Sequence, residues 1–237
     1  MTETQLIEIR QYLLSKKLPI DILIEVNDHF ISQITDLQKK ENLSFEEAFE
    51  KTKLSWDKEL KPYWKGEMNL EDTSDFMRNT KKEIDKANLY FAFKWTFLPF
   101  FLIILSAYVL RATAFGYFTI TLLSGLALFV LLHYFKNYND FKLAKKYQNY
   151  VLTLHQHSVL IFISIIAPFI NIFDRLINNP EKYQNVIKFN EAGYSMWSYC
   201  IFFISLYFIL FGSFLSLIAQ KKYLHQIQKV KPFLKYL

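Results

Sequence analysis

Leu89 to Leu110 reads LYFAFKWTFLPFFLIILSAYVL, and Lys94 is its one charge. Wound as a helix at about 1.5 Å per residue, a run of this length reaches roughly 33 Å, enough to cross the hydrocarbon core of a bilayer. It has no polar stripe at helical spacing, which a helix on a water-facing core requires. Three further runs without a formal charge follow, Ala112 to Phe135, Tyr147 to Phe173 and Ala192 to Gln220. The expectation is a chain that crosses a membrane four times, at about 89–110, 114–135, 152–173 and 196–219.

Charge divides the chain at the same place. Residues 1–88 carry 14 Lys/Arg against 18 Asp/Glu, a net charge of −4. Residues 89–237 carry 14 Lys/Arg and only four acids, Asp140, Asp174, Glu181 and Glu191, a net charge of +10. The fold to expect is all-α: a small cytoplasmic helical domain (1–88) followed by a four-helix transmembrane bundle (89–237) ending in a basic cytoplasmic tail. Fourteen Lys/Arg lie near the span ends on the side of the N-terminus, and four, Arg111, Arg175, Lys182 and Lys188, on the other. Positive charge is retained inside, so both termini are expected in the cytoplasm and the protein in the inner (plasma) membrane. Aromatics agree, with Trp95, Tyr134 and Tyr147 near one interface and Tyr108, Tyr194 and Trp197 near the other. Basic residues beside spans suit anionic lipid at the cytoplasmic face, whereas the aromatic-interleaved surface of a nucleic-acid binder is missing. The single cysteine, Cys200, allows no internal disulfide and no CxxC motif. The N-terminus lacks a basic region and cleavage site, so no signal peptide is read.

The leading part reads as amphipathic helices. Thr2-x-x-Gln5 opens one over residues 2–17, with Leu6, Ile9 and Leu13 on its apolar face. Pro19 is expected in the first turn of a second, reaching about Lys40, whose Ile20, Leu23, Val26, Phe30, Ile34 and Leu37 share one face. Ser44-x-x-Glu47 is a capping box for a third, which Pro62 and Gly66 end, and Asp72 or Thr73 caps a fourth that continues into the first span. LPIDILIEVNDHF followed by NLSFEEAFEK, residues Leu18, Pro19, Glu25, Asp28, His29, Phe30, Ser44, Glu46, Glu47 and Ala48, resembles the helical HAAS-type domain of bacterial membrane proteins. The resemblance covers about residues 5–60 and departs from the family at Leu54-Ser55-Trp56-Asp57, where a Leu-Gly-Asp-Pro-type turn is usual. It implies a cytoplasmic signalling or regulatory module fused to membrane helices, often found with PadR-like transcription regulators.

Chemistry-bearing residues are sparse. His155 and His157 are two apart, which on a helix points them about 200° apart and disfavours joint chelation of one metal. His133, at the end of the second span, lies toward the same membrane face, and Asn171 sits near Pro168 in the third. These four form the candidate intramembrane polar site, with an interfacial, solvated place favoured for the two histidines. Pro99 and Pro168 are expected to kink their helices, and Gly212-x-x-x-Ser216 and Thr121-x-x-x-Gly125 to allow close helix packing. Asn179-Pro180 marks the start of a short interfacial helix. With no GxSxG, Walker loop, HExxH or GxGxxG, the expectation is a non-enzymatic protein without cofactor or bound metal. Signalling, regulation or complex assembly through a protein partner of the cytoplasmic domain is the leading reading. A transporter or channel subunit with a polar site near His155, His157 and Asn171 is the alternative. Lys142, Lys145 and Lys146 are expected to attract either the acidic domain or anionic lipid, and the oligomeric state stays open.

Overall fold

A computed structural model describes residues 1–65, 72–190 and 196–237. Gly66, Glu191, Tyr194 and the start of the Ala192–Gln220 run lie outside the described residues. The architecture is all-α; among the described residues the nearest thing to a strand is an isolated antiparallel bridge between Tyr63 and Thr73. The chain divides into two compact units. One holds residues 1–86, 142–156 and 223–237, and the other residues 87–141 and 157–222.

The first unit is built on α1 (Glu3–Ser15), α2 (Ile20–Glu41) and α3 (Phe45–Leu60). Both predicted capping boxes form: Thr2 with Gln5, and Ser44 with Glu47, where the Ser44 N–H donates to Glu47 Oε2 at 2.9 Å and the Glu47 N–H to Ser44 Oγ at 3.2 Å. Each box satisfies two amides that a helix start leaves without partners. Asn42, left-handed at φ 51°, stops α2. The apolar faces meet as their spacing requires, with Ile9, Leu13, Leu23, Phe30, Ile34 and Ala48 fully buried. Tyr12 packs its ring 5.9 Å from Phe30 and 5.8 Å from Phe49. Two boundaries differ from expectation. Pro19 is the N-cap residue of α2, with an extended ψ of 142°, and not a first-turn residue. The fourth helix, α4 (Asp75–Val109), is capped by Ser74, whose Oγ accepts from the Met77 N–H at 3.3 Å. Thr73 is held extended by its bridge to Tyr63 and cannot take that role.

As expected, α4 runs without interruption from the leading part into the first apolar run. The second unit takes its later half together with α5 (Ala112–Lys136), α7 (Ile166–Asn178), α8 (Pro180–Lys188) and α9 (Met196–Val230) up to Lys222, while α6 (Tyr138–Lys146) follows α5. Four helices are long and apolar enough to cross a membrane, with 18-residue windows of mean hydropathy 1.7, 2.1, 2.0 and 2.4. Between 17 and 44% of each window is buried, so most of this apolar surface faces outward. Phe97, Leu98, Phe129, Leu132, Ile170 and Ile204 are among the exposed residues. Water is the wrong solvent for such a surface and hydrocarbon the right one. The chain is built as a multi-pass membrane protein.

The third span departs from the expected 152–173. Residues 151–154 are drawn away into pairing with α2, residues 156–165 wind as a 3₁₀ helix, and α7 carries the span to Asn178. At about 2.0 Å per residue the 3₁₀ part stretches the span farther than α-helix would. Pro168 therefore falls in the first turn of α7, where the missing N–H costs nothing, and does not break a helix interior. Gly212 shows why α9 needs a small residue here, since a Cβ on it would lie 2.6 Å from Ile165 Cγ2. Gly125, by contrast, has nothing within 4 Å of its Cβ position, so its small-residue pair is not used inside the bundle. On α8, Gln184 Nε2 donates to the carbonyls of Ala107 (2.8 Å) and Leu110 (2.7 Å), closing the C-terminal end of α4. Tyr183, on the same short helix, stacks on Phe202 at 5.0 Å.

Candidate functional site

Of the four residues of the predicted polar site, His133 joins a network of buried polar side chains. The fully buried Gln220 of α9 reaches Val159 of the 3₁₀ segment with Nε2 (3.5 Å) and His133 Nδ1 with Oε1 (2.8 Å). Ser216, one turn earlier on α9, donates Oγ to the same Val159 carbonyl at 3.3 Å. The polarity of the chain of bonds is fixed by its ends. A carbonyl can only accept, so the amide must present nitrogen to Val159 and oxygen to His133. The hydrogen of a neutral His133 ring then sits on Nδ1, and Nε2 carries the ring's lone pair.

The other three lie elsewhere. His157 and Asn171 are exposed on the 3₁₀ segment and α7. His155 belongs to the first unit and is buried there, 5% exposed, where an interfacial, wet histidine was expected. The reason is that residues 151–155 pack into the helical domain before the span begins. The sequence reading did not bring Gln220 into the polar site, and it named Ser216 only as half of a small-residue packing pair. The one available signal was Gln220 itself, the single long polar side chain closing the apolar run from Ala192.

The residues carrying the HAAS-type resemblance have structural work in this fold. Phe30 and Ala48 are core, Ser44 and Glu47 cap α3, and Pro19 opens α2. The Ser44 N–H bonded to Glu47 holds that carboxyl below its ordinary range. Asp28, His29 and Glu46 are exposed, His29 lying over Trp56 with ring centres 6.4 Å apart. An open groove of about 350 Å³ passes His29, Gln33, Asp36, Lys40 and Trp56.

More consequential is what completes the first unit. The N–H groups of Ile20 and Asp21 donate to the carbonyls of Val151 (2.8 Å) and Leu152 (3.2 Å), and Asp21 Oδ2 accepts from the Leu154 N–H at 3.2 Å. Burial pushes the Asp21 carboxyl up to about 6, against the pull of its bonds from the Leu154 and Ile22 amides and with a smaller push from Glu25. At the other end of the chain, Arg10 of α1 lies under two rings of the C-terminal tail, its guanidinium carbon 3.8 Å from the Tyr236 centroid and 5.4 Å from that of Phe233. The expected pairing of the acidic domain with Lys142, Lys145 and Lys146 is not the bond used. Among the described residues those lysines form no ion pair, and the loop and tail are held by amides and by rings. No group of three or more His, Cys, Asp or Glu arranged to hold a metal ion occurs among the described residues.

No family model, curated protein or solved structure matches the chain.

Proposed function

We propose that the chain is a non-enzymatic regulatory or complex-assembly component of the inner (plasma) membrane, whose helical domain is coupled to its spans. One observation carries this reading: a single compact unit gathers residues 1–86, 142–156 and 223–237. Those segments are separated from one another by pairs of membrane-capable helices, so a chain crossing four times brings all three to one face. The chain passes from one unit to the other four times, and α4 does so as an unbroken helix. A rearrangement of the spans therefore has several covalent routes to the helical domain. The Lys/Arg distribution supports a cytoplasmic location for that face, and the HAAS-type resemblance of residues 5–60 supports the same kind of module. Lys142, Lys145 and Lys146, exposed and without acidic partners among the described residues, suit anionic headgroups.

The domain's partner-facing surface is best sought at Leu54, 76% exposed on α3, and Trp64, 57% exposed just after it. Full-length protein purified in mild detergent should retain a protein partner that Leu54→Glu and Trp64→Glu variants of intact fold lose. A solute pathway is the second reading, favoured by the 3₁₀ backbone and the His133–Gln220–Val159 bonds inside the bundle. Liposome flux abolished by His133→Ala, with no partner retained, would overturn the first reading in favour of the second.

A further inference from the structure

The start of α2 has no cap of its own. Pro19 occupies the N-cap position and makes no side-chain bond to the helix. Helix starts leave their first amides without intrahelical partners. Here those of Ile20 and Asp21 are satisfied by carbonyls of Val151 and Leu152, and Asp21 Oδ2 returns the exchange by accepting from Leu154, 133 residues away. Asp21 Oδ1 meanwhile accepts from the Ile22 N–H at 3.0 Å, and Gln156 Oε1 ties back to the Leu152 N–H at 3.0 Å. This is a capping box assembled between distant parts of the chain. It closes over a dry interior: Ile20, Leu23, Leu152 and Thr153 are fully buried, and Asp21 is 6% exposed. The closed arrangement is incompletely satisfied, because Thr153 Oγ1 is buried without a hydrogen-bond partner. Glu25, one turn on along α2, pushes the Asp21 carboxyl up through space. His155 is the one titratable residue in the segment from Val151 to His155.

We propose that this reciprocal cap is a proton-operated clamp, in which neutral Asp21 keeps residues 151–154 seated on the start of α2 and ionised Asp21 lets them go. A neutral carboxyl can stay in the dry site, whereas an ionised one is drawn to water, which it reaches when the segment lifts. The closed carboxyl titrates near 6, and one returned to water titrates near 3.8. The closed form therefore holds more protons between those values. As pH rises through that window the clamp loosens, and below it the clamp is fully closed. The full effect on the opening equilibrium is roughly hundredfold. The inference adds a class of signal, the proton, to the proposed coupling and rests on that reading only for what the signal is used for.

The test is hydrogen exchange of the full chain in detergent micelles or lipid nanodiscs between pH 4.5 and 7.5, with rates corrected for intrinsic pH dependence. Peptides covering Ile20–Leu23 and Val151–Gln156 should lose protection by roughly 25-fold over the range, the part of the full effect that falls above pH 4.5, while peptides of α3 hold theirs. Asp21→Asn, which keeps an acceptor and removes the charge, should leave protection high and flat with pH. His155→Gln should keep the wild-type response, and Glu25→Gln should move it to lower pH. A flat wild-type profile, or a fall that survives Asp21→Asn and vanishes in His155→Gln, overturns the clamp. Neither result touches the coupling reading, which stands or falls on partner retention.

Discussion

Replacing Gly212 by alanine tests the closest approach in the bundle. The added Cβ meets Ile165 Cγ2 at 2.6 Å, well inside contact distance. Ile165 is 4% exposed and β-branched at the junction of the 3₁₀ segment and α7, so its methyl has little freedom to swing away. Overpacking of this kind costs about 1–3 kcal/mol, against which alanine's better helix propensity returns at most about 1 kcal/mol. A net loss of about 1–2 kcal/mol is expected in reversible unfolding of the full chain in mixed micelles. Gly125→Ala is the control, since nothing lies within 4 Å of its Cβ position, and it should be neutral or slightly stabilising. Ile165→Ala removes the clashing methyl at its own cavity cost of about 2–4 kcal/mol. In that background Gly212→Ala should cost almost nothing, which makes the double-mutant coupling about 1–3 kcal/mol. Additive effects of the two substitutions would refute the claim that this contact sets how close α9 comes to the third span.

Ser44→Ala should cost about 1 kcal/mol of domain stability in denaturant unfolding, because it uncaps the Glu47 amide at the start of α3. Arg10→Leu should free the tail, seen as faster proteolysis within residues 231–237, with a stability loss of about 1 kcal/mol from the two ring contacts. Gln184→Leu should leave the carbonyls of Ala107 and Leu110 unpaired, at about 1–3 kcal/mol in the same micelle assay. Unchanged unfolding in that variant would show that α8 does not close the end of α4.

Helix identity and the membrane character were legible because each rests on local pattern. The step of apolar residues from Ile20 to Leu37, the Ser44-x-x-Glu47 box and the uncharged runs all act over a few turns. What escaped was long-range bonding. Nothing near Pro19 says that Val151 and Leu152 will cap the helix it opens, and Asp21 reads as an ordinary first-turn acid. For the same reason the third span was expected to begin at residue 152, since apolar residues that pack on a domain and apolar residues that face lipid have one hydropathy. Proline gave a similar ambiguity, because Pro168 signals a kink only if the α-helix has already begun before it. His133 was identified as polar and near a membrane face, but its partner lies 87 residues away.

The reciprocal cap also has a bearing on biosynthesis. Residues 1–65 leave the ribosome before the spans do, yet the amides that begin α2 have no permanent acceptors until Val151 and Leu152 have been made, after two hydrophobic helices have been translated. Arg10 waits longer still, for Phe233 and Tyr236. A part translated ahead of the spans is thus completed only after them, and the nascent chain must keep those helices unfinished while its greasy segments find their bilayer.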